Sequence, residues 1–395
     1  MIRAIGIRVR ETDPAVKYGL IVFILSRIFL TLWAALVLGL RPLPQEEDEL
    51  LRPYLGEPIL AEGPASLLLG PWQRFDTQHY LRISRLGYAA EEDSVFPPLY
   101  PALVRGLGYV FQGILPVGER HLLAGIIISN LAFLGTLILL FRITEEEFDR
   151  PSAKRAVVYL AIFPTAFFLT AAYTESLFIF FALASIWFAR RKRFWLAGLF
   201  GLLAPLTRLT GWILVVPLAY EYMRSRRFKW RQIKPDILAL FLPLVSLSGF
   251  LYWRSIMDLP GLTEIYEKYW YQTTAIPGLD LLTAIGKMIS GQAAFTLFFD
   301  FIVVIVLLFM TILAYRKLDP TYGLYSTTLL LFMLLPASPQ KPLFSFSRYA
   351  LAFFPMFMVF GLVGKNPWIN RLILYPSIGL YLYFSGQFFM WGWVA

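Results

Sequence analysis

The sequence contains no cysteine and only two histidines, His79 and His121, and charged residues make up just 16% of it. Without cysteine there is no disulfide, no thiolate metal site and no cysteine nucleophile. Two histidines leave little room for a histidine-rich metal centre. The charge is scarce as well, since a soluble globular protein carries about 25% charged residues. Apolar residues fill the space: 58% of the 395 residues are hydrophobic and 17% are aromatic. They come in long blocks, and a run of about 20 is the length of a bilayer crossing rather than of a core helix. The net charge of +10 does not imply nucleic acid as a partner. Its Lys and Arg gather in short segments between apolar runs, such as Arg190–Arg193 and Arg224–Lys234. Cytoplasmic loops of membrane proteins accumulate positive charge in this way, so these runs are read as topology signals without a catalytic role.

Residues 1–17 are basic (Arg3, Arg8, Arg10, Lys17) and lack a small-residue cleavage site. The first apolar run, Tyr18–Leu40, is long enough to stay as a span rather than leave as a signal peptide. Segment 41–120 follows, rich in proline and acid (Glu46, Glu47, Asp48, Glu49, Glu57, Glu62). Its apolar middle, Phe96–Ile114, is broken by Pro97, Pro98 and Pro101, and is expected to lie on or dip into the membrane rather than cross it. Further apolar runs at 121–141, 156–172, 175–189, 194–208, 211–223, 236–254, 295–315, 321–336, 347–363 and 370–393 bring the expected total to about eleven spans. Several are short, as helices beside a buried cavity can be. The whole chain is expected to form a single all-α integral membrane domain. No internal duplication of the transporter kind is visible. An N-terminus placed inside, with alternation, puts the basic runs in the cytoplasm and leaves the remaining segments weakly acidic. The segments 41–120, 255–294 and 337–347 then share the outer side, where large loops point to a site.

Four clusters can carry chemistry. In Trp72-Gln-Arg-Phe-Asp76-Thr-Gln-His79-Tyr80, a helix over 76–86 would put Asp76, His79, Tyr80 and Ile83 on one face, or Asp76 could simply cap an interfacial helix. In Tyr173-Thr-Glu175-Ser, Thr174 can cap and Glu175 suits a helix dipole, yet an acid so near the apolar layer tends to mark a site. Arg208, in Thr207-Arg208-Leu-Thr-Gly211, either snorkels or binds an anion. Arg348, in Phe344-Ser-Phe-Ser-Arg348-Tyr349, opens a span and calls for an anion nearby. One carboxylate, two or three cations and many aromatics suit transfer of a sugar from a lipid phosphate. The departing phosphate is a weak base, so no general acid is needed, unlike glycoside hydrolysis with its two carboxyl groups. One carboxylate acting as base on the acceptor hydroxyl suffices, and arginines hold the phosphate. Trp72, Tyr80, Tyr100 and Trp270 offer faces to sugar rings or a lipid chain, although most aromatics here are interface and packing residues.

Taken in order, these motifs resemble the PIG-V family of mannosyltransferases. The resemblance lies in Phe75-Asp76-x-x-His79-Tyr80-Leu81-x-Ile83, Gly87-Tyr88, Phe96-Pro-x-Leu-Tyr-Pro101, Ala172-Tyr173-Thr-Glu175-Ser-Leu-Phe178, Leu206-Thr-Arg208-x-x-Gly211 and Ser347-Arg348-Tyr349. It covers residues 72 to 360, and its specificity comes from the ordered set. The resemblance implies a GT-C type helical bundle and an inverting, metal-independent transferase without cofactor. Its donor would be a polyprenyl-phosphate mannose, its acceptor a glycolipid or glycan, and its surroundings the membrane lipids. It further implies Asp76 as base, donor-phosphate contacts from Arg208, Arg348 and His79, and substrate contacts from Glu175, Tyr80, Tyr100, Tyr173, Trp72 and Tyr349. Where the family carries Trp directly before the Asp, Phe75 stands here. The short loops look more like those of a prokaryotic relative, whose acceptor need not be a glycosylphosphatidylinositol. The alternatives are a GT-C enzyme using another polyprenyl-phosphate sugar, or a lipid-linked sugar transporter or flippase in which the same residues bind without reacting.

Overall fold

The computed structural model describes residues 13–394 apart from 44, 45, 47, 50, 61 and 62. Arg3, Arg8 and Arg10 of the basic N-terminal stretch, and the acidic Glu47 and Glu62, lie outside the described residues.

Among the described residues the chain is mostly helical. Among the described residues four helices are long and apolar enough to cross a membrane: Pro14–Leu40, Val117–Glu147, Pro235–Ile256 and Phe295–Lys317. At 1.5 Å per residue each reaches across the hydrocarbon layer of about 30 Å, so this is an integral membrane protein. The pair Phe346–Ala352 and Phe354–Val363, bent by 78°, makes a fifth crossing if counted as one. Of the other runs expected to span, 175–189, 321–336 and 370–393 are carried by the single helices Glu175–Arg190, Pro320–Met333 and Pro367–Phe389, whereas the rest are more broken than a hydropathy reading implies. Run 156–172 is the helix Arg150–Ala161 followed by a turn and the 3-10 segment Ala166–Leu169. Runs 194–208 and 211–223 are the helices Phe194–Leu203 and Val215–Ser225 around the 3-10 segment Leu209–Leu214. Hydropathy senses apolar composition without sensing where a helix breaks, and the second of these breaks, at residues 207–210, faces a cavity.

The outermost and innermost helices show how burial follows sequence. Pro14–Leu40 starts where the Asp13 carboxylate accepts the Ala15 N–H at 2.8 Å, with Pro14 in the first turn. It buries a narrow stripe that includes Gly19, Leu30, Ala34 and Val37, while Leu25 and Leu32 remain more than 60% exposed, as lipid-facing residues would be. Glu175–Arg190 is apolar between its first turn and Arg190 except for Ser185, and is buried along most of its length, as expected of a central helix. Small residues permit the closest crossings: a Cβ on Gly361 would stand 2.4 Å from the Ser152 carbonyl oxygen.

In segment 41–120 the helices Asp76–Leu86 and Leu99–Val110 are too short to span. Tyr100, Pro101, Val104 and Gly108 of the second turn inward while Leu103, Tyr109 and Val110 stay exposed. Residues of segment 255–294 are clipped to the loop before Phe346 by an antiparallel pairing of Thr273–Thr274 with Pro336–Ala337. The buried Asp280 carboxylate then accepts the Ser338 and Leu343 N–H groups at 2.9 and 2.6 Å, and burial holds its carboxyl above the usual range. Asp280→Ala leaves both buried N–H groups unmet, a loss of about 1–3 kcal/mol. We expect a lower Tm and faster proteolytic cutting between residues 338 and 343. A variant as resistant as wild type would show that the clip alone orders this loop.

Candidate active site

Where segments 41–120, 255–294 and 337–347 meet, the bundle encloses a cavity of about 360 Å³. Its wall carries a chain of four charges. Arg348 Nη2 meets Asp76 Oδ2 at 2.7 Å, and Arg348 Nε donates to Glu175 Oε1. The same Glu175 oxygen accepts from Arg208 Nη1 at 2.5 Å. Two acids and two cations thus alternate, and the group is neutral overall. Glu175 and Arg348 are nearly buried, at 4% and 7% side-chain exposure, while Asp76 keeps 19% open. The second Glu175 oxygen, Oε2, is buried and has no partner, so an acceptor faces the interior unmet.

Each charge is delivered by a local break in helix. Asp76 is the first residue of Asp76–Leu86 and does not cap it; Phe75 precedes it with a positive φ of 46°. Gly87 ends that helix with φ 78°. Glu175 opens the central helix, where its charge suits the dipole. Thr174 makes no capping bond; its hydroxyl instead meets the Tyr80 hydroxyl at 3.2 Å and accepts from Arg208 Nη1 at 3.3 Å. Arg208 stands just before the 3-10 turn Leu209–Leu214, and Gly211 lets that turn close. A Cβ there would lie 2.3 Å from the Pro205 nitrogen. Arg348 lies in the single turn Phe346–Tyr349. Its neighbour Ser347 is held at both ends: its N–H donates to Asp300 at 2.7 Å and its carbonyl accepts from Thr165 at 2.8 Å. Rings flank both guanidinium groups, Tyr349 beside Arg208 at 5.1 Å and Tyr173 and Phe168 beside Arg348 at 4.7 and 5.0 Å. Burial, then the Asp76 and Glu175 carboxylates, push the Tyr80 hydroxyl above its usual range, so it remains a protonated donor.

Of the ten residues singled out from sequence, Asp76, Tyr80, Glu175, Arg208, Arg348 and Tyr349 line the cavity. Four do not. His79 turns away from the arginines: its Nδ1 meets Asp93 at 2.8 Å, beside the Arg82 pairs to Asp93 and Glu92, and its ring stacks on Phe96. Trp72 is buried under Arg27 and against Phe389. The Tyr100 hydroxyl is fully buried on Ser129 and the Gly125 carbonyl. Tyr173 lies behind Asp76, with its hydroxyl on the Arg74–Asp76 backbone. Trp270, also considered from sequence, does line the cavity. The sequence reading missed Tyr266, Asp280 and Trp393 in the lining and Asp300 beneath Ser347. Asp300, an acid inside an apolar run, carried a signal of its own. Among the described residues no cluster of three or more His, Cys, Asp or Glu is placed to hold a metal ion.

Fold and site together define an all-α polytopic membrane protein with a neutral acid–arginine chain in a cavity at one end. Residues 16–273 match the family described as Mannosyltransferase (PIG-V), and the chain belongs to that family. It is 26% identical over 284 residues to the GPI alpha-1,6-mannosyltransferase 2 of Cricetulus griseus, covering 67% of this chain and 53% of that protein. It is 30% identical over 213 residues to the protein of that name from Mus musculus, covering 50% and 41%. The chain therefore spans about half the length of the curated relatives it matches. Two solved structures align with most of it. ArnT from Cupriavidus metallidurans has a TM-score of 0.44 at 14% identity, over 80% of this chain and 70% of that one. The Archaeoglobus fulgidus oligosaccharyltransferase has a TM-score of 0.42 at 13% identity, over 91% and 53%.

Proposed function

We propose that this protein is a GT-C type glycosyltransferase. It moves mannose, with inversion, from a polyprenyl-phosphate mannose to a glycolipid or glycan acceptor at the outer membrane face. The observation that carries the reading is the chain Asp76–Arg348–Glu175–Arg208 on the cavity wall. Family membership adds the sugar.

The chemistry follows from the charges. A donor phosphate entering beside Arg208 and Arg348 takes over the Arg348 Nη2 group that Asp76 holds in the free protein. Asp76, the most open of the four, is released toward the acceptor. The acceptor hydroxyl oxygen attacks the anomeric carbon, Asp76 takes its proton, and the bond from that carbon to the phosphate oxygen breaks with its electron pair going to oxygen. The phosphate gains a negative charge in this step, and two buried guanidinium groups are placed to stabilise it. Glu175 sits between the two cations and offsets their repulsion. The ring of Trp270 and the hydroxyl of Tyr80 face the same space.

The test is the mass of the lipid that co-purifies with the protein. We expect a prenyl chain linked through phosphate to a hexose, retained by wild type and lost at least ~10-fold from the Arg208→Gln, Arg348→Gln double variant, because charge-assisted bonds hold the phosphate. Retention of only sugar-free lipids, or equal retention by the double variant, would contradict the reading.

A further inference from the structure

The residue before Asp76 is the most constrained point of the site. Phe75 has φ 46° and ψ −119°, a region that favours glycine. A residue of this kind persists only where its surroundings dictate the conformation, and here two sets of contacts do so.

On the backbone side, the Tyr173 hydroxyl bridges the kink. It donates to the Arg74 carbonyl and accepts the Asp76 N–H, each at 3.2 Å. It therefore ties together the groups on either side of Phe75. On the side-chain side, the Phe75 ring sits among Phe388, Trp391 and Trp393, with centroids 5.9, 5.2 and 5.3 Å away. The same stretch holds the preceding residue, since buried Arg74 donates to the Phe389 carbonyl at 3.0 Å and lies over the Trp391 ring at 4.9 Å. Residues 388–393 fall outside the part of the chain matched to the family. They nevertheless grip the peptide that presents Asp76.

We propose that Phe75 and Tyr173 are positioning residues for Asp76. The rings of Phe388, Trp391 and Trp393 lock Phe75 in its kink while the Tyr173 hydroxyl pins the backbone on both sides of it. The carboxylate is thereby aimed at the cavity. This rests on the reading of Asp76 as the base, and it gives Tyr173, which lies outside the cavity lining, a role without substrate contact. The flat Phe75 ring occupies the space between three other rings.

Two variants test it in purified protein with polyprenyl-phosphate mannose. Phe75→Gly removes the ring yet accepts the positive φ, so the fold is spared the strain. Tyr173→Phe keeps the ring and removes only the bridge. Each is expected to lower kcat by about 10- to 100-fold, the size of a misplacement near 1 Å, with donor KM within about 2-fold. Unchanged kcat in both Phe75→Gly and Tyr173→Phe, or a raised KM at constant kcat, would overturn the proposal. A second readout needs no substrate. Amide hydrogen exchange over residues 73–80 is expected to speed up at least ~10-fold in both variants, with residues 176–186 unchanged. Unchanged protection over 73–80 also overturns the proposal. If wild type transfers no sugar while exchange responds as expected, the assignment of function fails and the positioning of Asp76 stands.

Discussion

Asp76→Asn is expected to lower kcat for sugar transfer by at least ~100-fold, the lower end of what a positioned general base contributes. The amide matches the carboxylate in shape, so the fold is kept, but it cannot take the acceptor proton. The donor should bind as well or better, because Arg348 loses a competitor for its Nη2 group while its Nε stays on Glu175. The expected signature is therefore a collapse of kcat with KM unchanged or reduced, read from initial rates at varied donor. Loss of binding with little change in kcat would make Asp76 a ligand-holding residue and remove it from the proton-transfer step. Asp76→Ala is the weaker test, since it also leaves space beside Arg348.

The largest effect on stability is expected at Glu175. One of its oxygens serves both arginines, and all three side chains are mostly buried, with exposures of 4%, 7% and 17%. Glu175→Gln removes the shared counter-charge and leaves Arg348 with only Asp76 and Arg208 with no carboxylate partner among the ion pairs described. Breaking a buried pair from one side costs about 3–5 kcal/mol, because the remaining charge is uncompensated. The contrast is Glu145→Gln, which breaks the exposed pair to Arg150, with side chains 32% and 54% open; exposed pairs are worth under about 1 kcal/mol. Thermal unfolding in one detergent should thus separate the two variants clearly. Added polyprenyl phosphate should raise the Tm of Glu175→Gln more than that of wild type, because a phosphate supplies the missing negative charge. Equal Tm values for Glu175→Gln and Glu145→Gln would mean that water reaches the arginines freely.

The charged members of the site were legible because charge is costly beside apolar runs. Asp76, Glu175, Arg208 and Arg348 lie far apart in sequence, and the fold brings them to one wall. Glu175 stood out because a membrane protein tolerates an acid beside the apolar layer only where it is paired or used, Arg348 because a cation at a helix start calls for an anion, and Asp76 because helical spacing puts it on a polar face. The aromatics were less legible. Trp72, Tyr80, Tyr100, Tyr173 and Tyr349 look alike in a chain with 17% aromatic residues, and nothing local tells a cavity-facing ring from a packed one. The structure puts Tyr80 and Tyr349 in the lining and the other three behind it. Helical spacing puts His79 near Asp76, whereas its partner Asp93 comes from the 3-10 segment Glu91–Val95.

Two further features were hidden, one by distance and one by composition. The grip of Trp391 and Trp393 on Phe75 joins residues more than 300 positions apart, and no periodicity reports such a contact. The breaks near Arg208 and Arg348 were hidden by hydropathy, since a broken helix and a span share one composition. Gly211 was the available sign of a break, because its Cα faces the Pro205 backbone. Aspartates such as Asp280 and Asp300, which hold backbone N–H groups of the loop leading to Arg348, give the same lesson. A buried acid with no cation beside it in sequence marks a strand of chain that needs holding.

The most direct test of the account is transfer itself, in detergent, with purified wild type and Asp76→Asn given polyprenyl-phosphate mannose and a panel of glycolipid acceptors. Wild type is expected to yield an acceptor heavier by one hexose and a free polyprenyl phosphate in equal amounts, with the variant at least ~100-fold slower. No compartments exist in a micelle, so a transporter would leave both lipids unchanged. Unchanged lipids under conditions where the donor binds, or a product formed equally fast by Asp76→Asn, would contradict the account.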